Sequence, residues 1–211
     1  MQMRKENILL QKKYNIVAYF YDVLDYPWER EYKQWRSLLL DDLTGKVLEA
    51  GVGTGRNLNY YRETVDLTGI ELSKVMLSFA EKRKRKAVCK VTLLNEDATI
   101  MSTIASSQFD WFFSSFMFCV IPEDLQTLAL KQCSRVLKIN GRFRILEIVY
   151  SKDKRIRQKQ ARFAPLVEKI YGARFDRNTR YHIEQLANLE ITNTSFLKDD
   201  THLLIEGRRI C

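Results

Sequence analysis

A short apolar segment that runs directly into three closely spaced glycines limits the folds open to this chain more than any other feature. The segment is KVLEAGVGTG, Lys46 to Gly55, and its glycines are Gly51, Gly53 and Gly55. Glycine has no Cβ and tolerates positive φ, so such a turn lets the backbone approach a bound ligand closely. The sequence therefore predicts a strand followed by a ligand-binding turn.

The glycine spacing and a preceding acid indicate which ligand that turn would take. Dinucleotide-binding turns read GxGxxG and hold a pyrophosphate at a helix N-terminus. This turn reads GxGxG, and Glu49 stands two residues before the first glycine. A carboxylate there would repel a pyrophosphate, but it would suit the positively charged amino group and sulfonium of S-adenosylmethionine (SAM). A glycine turn alone is a weak indication, because many tight turns use glycine.

Two further acids follow the next two strand patterns. Glu71 ends the pattern Asp66 to Leu72, about 20 residues past the glycines, where related folds place a ribose-binding acid. An alternative is that Glu71 belongs to the first turn of the next helix, where acids are favoured, with Ser73 as its cap. Asp97 follows the strand pattern Lys90 to Leu94. We expect these acids to meet at one edge of a sheet.

The chain resembles the class I SAM-dependent methyltransferases at this point. Within them it is similar to the ubiquinone/menaquinone-biosynthesis C-methyltransferases and the bacterial phospholipid N-methyltransferases, which share the methyltransferase type 11 domain. The resemblance spans roughly residues 14 to 150. The matching segments are YNIVAYFYD (14–22), KVLEAGVGTGRN (46–57), LTGIELSKVML (67–77), EDA (96–98), FDWFFSSFMFCVIPED (109–124) and RVLKINGRFRILE (135–147).

The resemblance implies SAM as the cofactor and a role for each acid. Glu49 would face the methionine part of SAM, Glu71 would hold the ribose hydroxyls, and Asp97 would accept a hydrogen bond from the adenine amino group. The neighbouring positions implied to complete the site are Gly51, Gly53 and Gly55 beneath SAM, Leu72 and Ala98 beside the adenine, and Ser114 after strand four at the methionine end. The resemblance assigns no catalytic residue, because methyl transfer mainly needs alignment of the reactants and a general base is optional.

Two tyrosines near the amino terminus are also candidates for cofactor contact. Tyr14 and Tyr21 are seven residues apart and share one face of a helix. They would close over the cofactor, or they would form an aromatic stripe that packs on the core.

The sequence departs from the family pattern before and after strand five. The usual PGG reads Ile139-Asn140-Gly141 here, and Asn140 can still provide a left-handed turn. Ile148 stands where many relatives have a histidine or an aromatic residue. This second departure weakens the transfer of any particular substrate.

The alternation of apolar runs with helical patterns predicts an α/β fold. We expect a single Rossmann-like class I methyltransferase domain, with a seven-stranded, mostly parallel sheet, helices on both faces and a C-terminal antiparallel hairpin. It would divide into a helical lid (1–40), a SAM-binding core (41–150) and substrate-side helices with the hairpin (151–211). The predicted helices cover 5–22, 28–40, 55–62, 74–86, 123–137, 153–171 and 179–187, and the predicted strands cover 46–50, 67–71, 90–94, 109–114, 142–149, 189–197 and 202–210.

Composition is that of an ordinary single domain of 211 residues, 45% hydrophobic and 29% charged. The longest apolar run, Trp111 to Ile121, is shorter than the roughly 18 to 20 residues that span a bilayer. The amino terminus has no signal-peptide pattern, so we expect a cytoplasmic protein.

The four cysteines lack CxxC spacing, so the sequence predicts neither disulfides nor a metal site. His182 could border a substrate pocket without an identifiable acid partner, and His202 is expected to be structural.

The net charge of +9 is concentrated in two segments, Lys82 to Lys86 and Lys152 to Arg162. These cations could complement helix C-termini and stay solvated, or they could attract an anionic surface. We favour peripheral contact with the inner face of a membrane over nucleic acid, since no nucleic-acid motif is present. Ile8, Leu9 and Leu10 beside basic residues could form an interfacial helix. The sequence does not indicate an oligomeric state.

The acceptor is least defined by the sequence. Tyr150 to Gln185 is basic and aromatic, which suits a small or lipid-like acceptor such as a phospholipid amine or a quinone-precursor ring. The arginines could instead solvate a surface helix. Two other functions stay open: a non-catalytic SAM-fold protein that docks on membrane or nucleic acid, and a nicotinamide-dependent oxidoreductase, against which Glu49 and the glycine spacing argue.

Overall fold

The glycine turn follows the central strand of a seven-stranded sheet. The computed structural model describes residues 4–211. Its strands are β1 (Gly45–Ala50), β2 (Val65–Glu71), β3 (Lys90–Asn95), β4 (Phe109–Ser115), β5 (Leu137–Ile148), β6 (Leu189–Phe196) and β7 (His202–Arg209). Its helices are α1 (Lys5–Leu24), α2 (Tyr26–Leu40), α3 (Lys74–Lys84), α4 (Glu123–Val136), α5 (Lys154–Tyr171) and α6 (Thr179–Glu184).

The strand order explains where a ligand can bind. The order is β3-β2-β1-β4-β5-β7-β6. Strands β1 to β5 are parallel, and β7 runs antiparallel to both β5 and β6. The chain order reverses between β1 and β4, and open α/β sheets bind ligands beyond the carboxyl ends of the strands at such a point. The predicted fold, including the hairpin, is confirmed.

Side chains alternate along the central strands and build an apolar core on each face of the sheet. Leu48, Phe112 and Ile145 face one cluster, which includes α4. Val47 and Trp111 face the other, with residues of α2 and α3. Full burial of a side chain of this size contributes about 1.5–3 kcal/mol to the free energy of unfolding. The packed sheet therefore holds the loops at its edge in fixed positions.

One predicted helix, 55–62, is not formed, and the segment makes successive turns instead. The amide of Leu58 bonds to Gly55 O and that of Tyr60 to Asn57 O, both with i→i+3 spacing. Gly55 has φ +81°, and a Cβ there would lie 2.9 Å from Ala80. The segment therefore begins at a residue whose positive φ and close approach to α3 are both incompatible with a helical residue that carries a side chain.

Strand β5 begins five residues before the predicted start and contains an irregularity. Asn140 has φ 63°, and the pairing with β4 shifts between Phe109 and Trp111. The left-handed turn expected of Asn140 is therefore present, but it lies within a strand as a bulge.

Ion pairs attach α1 and α2 to the glycine turn. Arg56 pairs with Asp25 at 2.8 Å, with Asp22 at 3.1 Å, and with Glu29. Arg83 also pairs with Asp22. Arg83 lies in the basic run 82–86, so part of that run serves the fold and is not free for a partner.

Candidate cofactor and acceptor site

A cavity of about 490 Å³ lies at the carboxyl ends of the parallel strands. Its floor is formed by the turns after β1, β2, β3 and β4, and its roof by α1 and α5. Small-molecule pockets commonly occupy about 300–1,000 Å³. The cavity extends from Asp97 at one end to His202 at the other, so both ends belong to one continuous space.

The three glycines of the turn have different surroundings. Gly51, Gly53 and Gly55 all have positive φ, of 76°, 56° and 81°. Gly51 and Gly53 line the cavity, whereas Gly55 does not and packs against Ala80. A Cβ on Gly53 would find no neighbouring atom closer than Gly51 O at 4.0 Å. Gly53 therefore borders open space and Gly55 has a packing role.

Glu71 lies at the end of β2, buried at the cavity wall. Its carboxylate accepts hydrogen bonds from Gly53 N at 3.0 Å and Ser73 N at 2.8 Å. Burial raises the pKa of Glu71, and these amide donors oppose the rise. Ser73 caps α3 by accepting from Met76 N at 3.1 Å. The cap expected at Ser73 is therefore present, while Glu71 remains at the strand end.

Asp97 is bonded on both oxygens. Thr99 donates to Oδ1 through N at 2.8 Å and Oγ1 at 2.7 Å. Asn7 Nδ2 donates to Oδ2 at 2.7 Å, so α1 reaches this end of the cavity. Leu72 and Ala98 line the same end, as expected of residues beside the adenine.

Glu49 does not line the cavity, in contrast to the position implied for it. It is 1% exposed, and it accepts from Asn57 Nδ2 at 2.6 Å and Tyr61 OH at 2.9 Å. Burial raises its pKa to about 7, although both donors act in the opposite direction. Asn57 does line the cavity. The side chain of Asn57 therefore separates the Glu49 carboxylate from the cavity.

Ser114 also differs from its implied position, because it lies within β4 and is fully buried. Its hydroxyl has no hydrogen-bond partner among residues 4–211. The next residues, Ser115 and Phe116, line the cavity instead. Phe116 has φ 57°, a left-handed conformation that costs about 1–2 kcal/mol outside glycine. Strain of this kind concentrates at functional sites.

Glu147 fixes the segment after β4 and was not recognised as a site residue from the sequence. Its carboxylate accepts from Phe118 N at 2.9 Å and Cys119 N at 2.5 Å. Burial raises the pKa of Glu147 to about 8. Cys119, expected to be a small buried hydrophobe, is 1% exposed and borders the cavity.

Tyr14 and Tyr21 both line the cavity from α1. Tyr14 OH donates to Tyr171 O, and the Tyr21 ring meets the Tyr171 ring edge-on at 6.1 Å. Burial raises the pKa of both phenols. The two tyrosines thus join α1 to α5. They pack against Tyr171 and also line the cavity, so both alternatives considered for them are met in part.

An aromatic wall, formed by Tyr32, Trp35, Phe116 and His202, closes the end of the cavity opposite Asp97. The Trp35 and His202 ring centroids are 4.9 Å apart, as are those of Tyr32 and Phe116. Burial, with a smaller contribution from Lys198, lowers the pKa of His202 to about 4. The imidazole is therefore neutral near pH 7.

His202 was expected to be structural, but it also lines the cavity as part of this wall. His202 pairs with Ile148 at the carboxyl end of β5, because β7 runs antiparallel. The predicted antiparallel hairpin could have located it, since the first residue of such a strand lies at the ligand-binding edge of the sheet.

His182 lies outside the cavity, and its expected lack of an acid partner is wrong. Its Nε2 is 2.6 Å from Glu123 Oε1, and its Nδ1 is 3.0 Å from Thr127 Oγ1. These contacts join α6 to α4, a structural role.

Comparison with known proteins extends the sequence argument. Residues 47–141 match the model of a family described as a methyltransferase domain. A phosphatidylethanolamine N-methyltransferase of Cereibacter sphaeroides is 33% identical over 98 residues, 46% of this chain and 47% of that protein. The match therefore spans about half the length of the curated relative.

Solved methyltransferases share the fold at low sequence identity. Geranyl diphosphate C-methyltransferase of Streptomyces coelicolor A3(2), solved with Mg²⁺, geranyl diphosphate and S-adenosyl-L-homocysteine (SAH), has a TM-score of 0.66 at 13% identity, over 86% of this chain and 82% of that one. N-methyltransferase NodS of Bradyrhizobium japonicum WM9 with SAH has a TM-score of 0.63 at 15% identity, over 86% of both chains. A SAM-dependent methyltransferase of Methanosarcina mazei has a TM-score of 0.63 at 17% identity, over 78% and 92%. Together the comparisons confirm the resemblance to class I SAM-dependent methyltransferases, and they support SAM as the cofactor.

Proposed function

This chain contains a class I SAM-dependent methyltransferase domain, and from that premise we propose that it methylates an amphipathic acceptor, with a phospholipid amine or a quinone-precursor ring favoured. The observation that supports this proposal most directly is one continuous cavity, which joins the glycine turn after β1 and the carboxylates of Glu71 and Asp97 to the aromatic wall. One end has the polar groups that a nucleoside needs. The other end is apolar enough for an amphipathic molecule.

The residues of the cofactor end fit SAM. Open space above Gly53 allows a ligand to approach the backbone where a Cβ would otherwise stand. Glu71 and Asp97 are buried carboxylates at the cavity wall, suited to ribose hydroxyls and an adenine amino group. Asn57 would meet the methionine end, and the positive amino group and sulfonium would favour the charged form of the Glu49 carboxyl behind it.

SAM supplies an electrophilic methyl group when it is bound. The chain itself contributes alignment and the exclusion of water, and orientation of this kind contributes on the order of 7–11 kcal/mol. Tyr14, Tyr21 and Tyr171 cover the cavity from α1 and α5. We propose that this cover is the helical lid expected over residues 1–40, together with the substrate-side helix α5.

Calorimetry with SAM and SAH tests the cofactor assignment. We expect micromolar affinity for both, and no heat with either would reject it. A thermal shift with NAD but not with SAM would favour an oxidoreductase instead. Tritiated-methyl SAM incubated with a total lipid extract, and separately with a small-molecule fraction, then identifies the class of acceptor.

We also propose that the outer faces of α1 and α5 rest on an anionic membrane. Helix α5 has no buried residue, and it turns Ile156, Gln160 and Val167 toward the cavity. Phe163 and Leu166 are 57% and 54% exposed on the same helix. The exposed apolar residues of α1 include Ile16 (70%), Phe20 (63%) and Val23 (75%).

The charge beside these apolar residues favours an anionic surface. Helix α5 carries Lys154, Arg155, Arg157, Lys159, Arg162 and Lys169. Amphipathic helices with such cations bind anionic lipid through apolar burial and charge together. The interfacial patch expected at Ile8 to Leu10 is only partly available, because Leu10 lines the cavity. No helix within residues 4–211 is long and apolar enough to cross a bilayer.

Vesicle co-sedimentation tests the membrane contact. We expect binding to phosphatidylglycerol vesicles and weaker binding to phosphatidylcholine vesicles. The double variant Phe163→Ser, Leu166→Ser should reduce binding, whereas Val88→Ser, an exposed residue far from α5 in sequence, is the control. Equal binding by both variants and the parent would reject this surface. Vesicle binding without methyl transfer to any acceptor would support the non-catalytic alternative.

A further inference from the structure

His202 brings to the aromatic wall an imidazole nitrogen that the fold leaves unused. His202 Nδ1 is 2.9 Å from Thr201 Oγ1, and the Thr201 hydroxyl donates to Lys198 O at 3.0 Å. A hydroxyl has one hydrogen, so with that hydrogen on Lys198 O the oxygen accepts from His202 Nδ1–H. This assigns the tautomer with an unprotonated Nε2. Among residues 4–211, Nε2 has no hydrogen-bond partner.

The charged surroundings keep this imidazole neutral. Burial is the largest influence on its pKa, and among the charged groups Lys198 lowers it while Glu31 and Asp199 raise it. Lys198 and Glu31 are paired with each other at 2.6 Å, which limits the effect of both. A neutral imidazole with a free Nε2 lone pair is a hydrogen-bond acceptor.

The wall is adjacent to the end of the cavity proposed for the methionine part of SAM. Phe116 belongs to it and directly follows Ser115, whose Oγ is 3.4 Å from Asn57 Nδ2. The left-handed backbone at Phe116 turns the chain at this point, and the ring lies 6.1 Å from that of His202. A nucleophile held at the wall would therefore be close to the reacting end of the cofactor.

We propose that Tyr32, Trp35, Phe116 and His202 form the acceptor subsite, and that His202 Nε2 accepts a hydrogen bond from an N–H of an uncharged primary or secondary amine. This inference rests on the proposed function and narrows it to nitrogen acceptors. The hydrogen bond orients the amine and leaves its lone pair free. In the transfer a bond would form between the nitrogen and the methyl carbon as the bond from that carbon to sulfur breaks, so that SAH would leave uncharged and the positive charge would pass to the nitrogen. Aromatic faces stabilise such a cation. A methylated ring carbon ends the reaction uncharged, so a carbon acceptor would not gain this stabilisation of a cation by the aromatic faces.

Matched variants separate the hydrogen bond from the packing. His202→Phe keeps a ring against Trp35 but removes the acceptor atom, and His202→Gln restores a side-chain oxygen. With phosphatidylethanolamine in detergent micelles, we expect His202→Phe to lower kcat/KM at least tenfold, while SAH affinity stays within twofold by calorimetry. His202→Gln should recover part of the loss. His182→Asn, in the other histidine, is the control.

Imidazole ¹⁵N NMR gives a readout that does not depend on turnover. The chain has only two histidines, so His182→Asn assigns the spectrum. We expect His202 in the Nδ1–H tautomer, and a shift of its Nε2 resonance when phosphatidylethanolamine micelles are added to the SAH-bound protein. An Nε2–H tautomer, an unmoved resonance, or unchanged kcat/KM in His202→Phe would each overturn the inference.

Failure of the proposed function has a different signature. Wild-type protein that binds neither SAM nor SAH, or transfers no methyl group to any acceptor, would contradict the enzyme assignment itself. The tautomer and the response of Nε2 to the micelles would still decide the role of His202.

Discussion

Asn7 Nδ2 lies 2.7 Å from Asp97 Oδ2, so the first helix is hydrogen-bonded to the carboxylate implied to bind adenine. Both residues are buried. A second bond from Asn7 reaches Thr99 Oγ1 at 3.2 Å. The position of α1 is therefore linked to the cofactor end of the cavity by specific polar contacts and not only by packing.

Replacing Asp97 by Ala should weaken SAH binding by about 1–3 kcal/mol, the range for removing a partner of a buried polar group. Isothermal calorimetry measures the change. The control is Asp66→Ala, because Asp66 lies at the opposite end of β2 and pairs with Lys90. Unchanged affinity in Asp97→Ala would mean that the adenine is held elsewhere.

Alanine at Gly53 should affect both cofactor binding and stability, whereas alanine at Gly55 should affect stability alone. At Gly53 the new Cβ would enter open space beside the cavity, so SAH affinity should fall, and the positive φ of 56° adds a strain of about 1–2 kcal/mol. At Gly55 it would lie 2.9 Å from Ala80 and Leu58, so the free energy of unfolding should fall by about 1–3 kcal/mol. Urea unfolding and calorimetry on both variants test this, and identical profiles would contradict it.

Glu49 should make the stability of the ligand-free protein depend on pH. Its pKa is about 7 in the fold against a reference value of 4.5, because burial disfavours the charged form. Between these values the folded state keeps a proton that the unfolded state has lost. The free energy of unfolding therefore decreases as pH rises through this window.

The variant Glu49→Gln removes that dependence. Its stability relative to wild type should be higher at pH 8 than at pH 5, by urea unfolding. Glu147 titrates in the same direction in both proteins, so its contribution cancels in the difference. The same relative stability at the two pH values would be inconsistent with a carboxyl titrating near 7.

Arg56→Gln should loosen α1 and α2. It removes one partner from Asp22, Asp25 and Glu29 at once, and because this network is half-buried the cost should lie between those of an exposed and a buried pair, about 1–3 kcal/mol. We expect lower stability and faster hydrogen exchange over residues 5–40. Arg62→Gln removes an exposed pair with Asp41 and should leave both measurements unchanged. Equal effects of the two variants would exclude a special role for the Arg56 network.

The fold was predictable because its signals are local. The apolar run before Gly51 and the hairpin turn after Phe196 each depend on neighbouring residues, and both elements form as expected. The segment 55–62 was not predictable in this way. Its first residue, Gly55, packs against Ala80 in α3, and no local pattern reports such a contact.

The sequence predicted which strand ends carry residues of the candidate site, but not which side chains face the cavity. Glu71, Asp97 and Ala98 all lie at the cavity, as the strand pattern indicates. Whether Glu49 faces the cavity or Asn57 covers it depends on side-chain contacts with Tyr61 and Asn57. The role of His202 depends on which strand ends share an edge.

Helix α5 crosses the acceptor end of the cavity without contributing a buried residue to either core cluster. Substitutions along it can therefore change the shape of the acceptor chamber at little cost to the sheet. Ile156 and Val167 are thus the positions where laboratory evolution could redirect this scaffold to new acceptors while its nucleoside end stays intact.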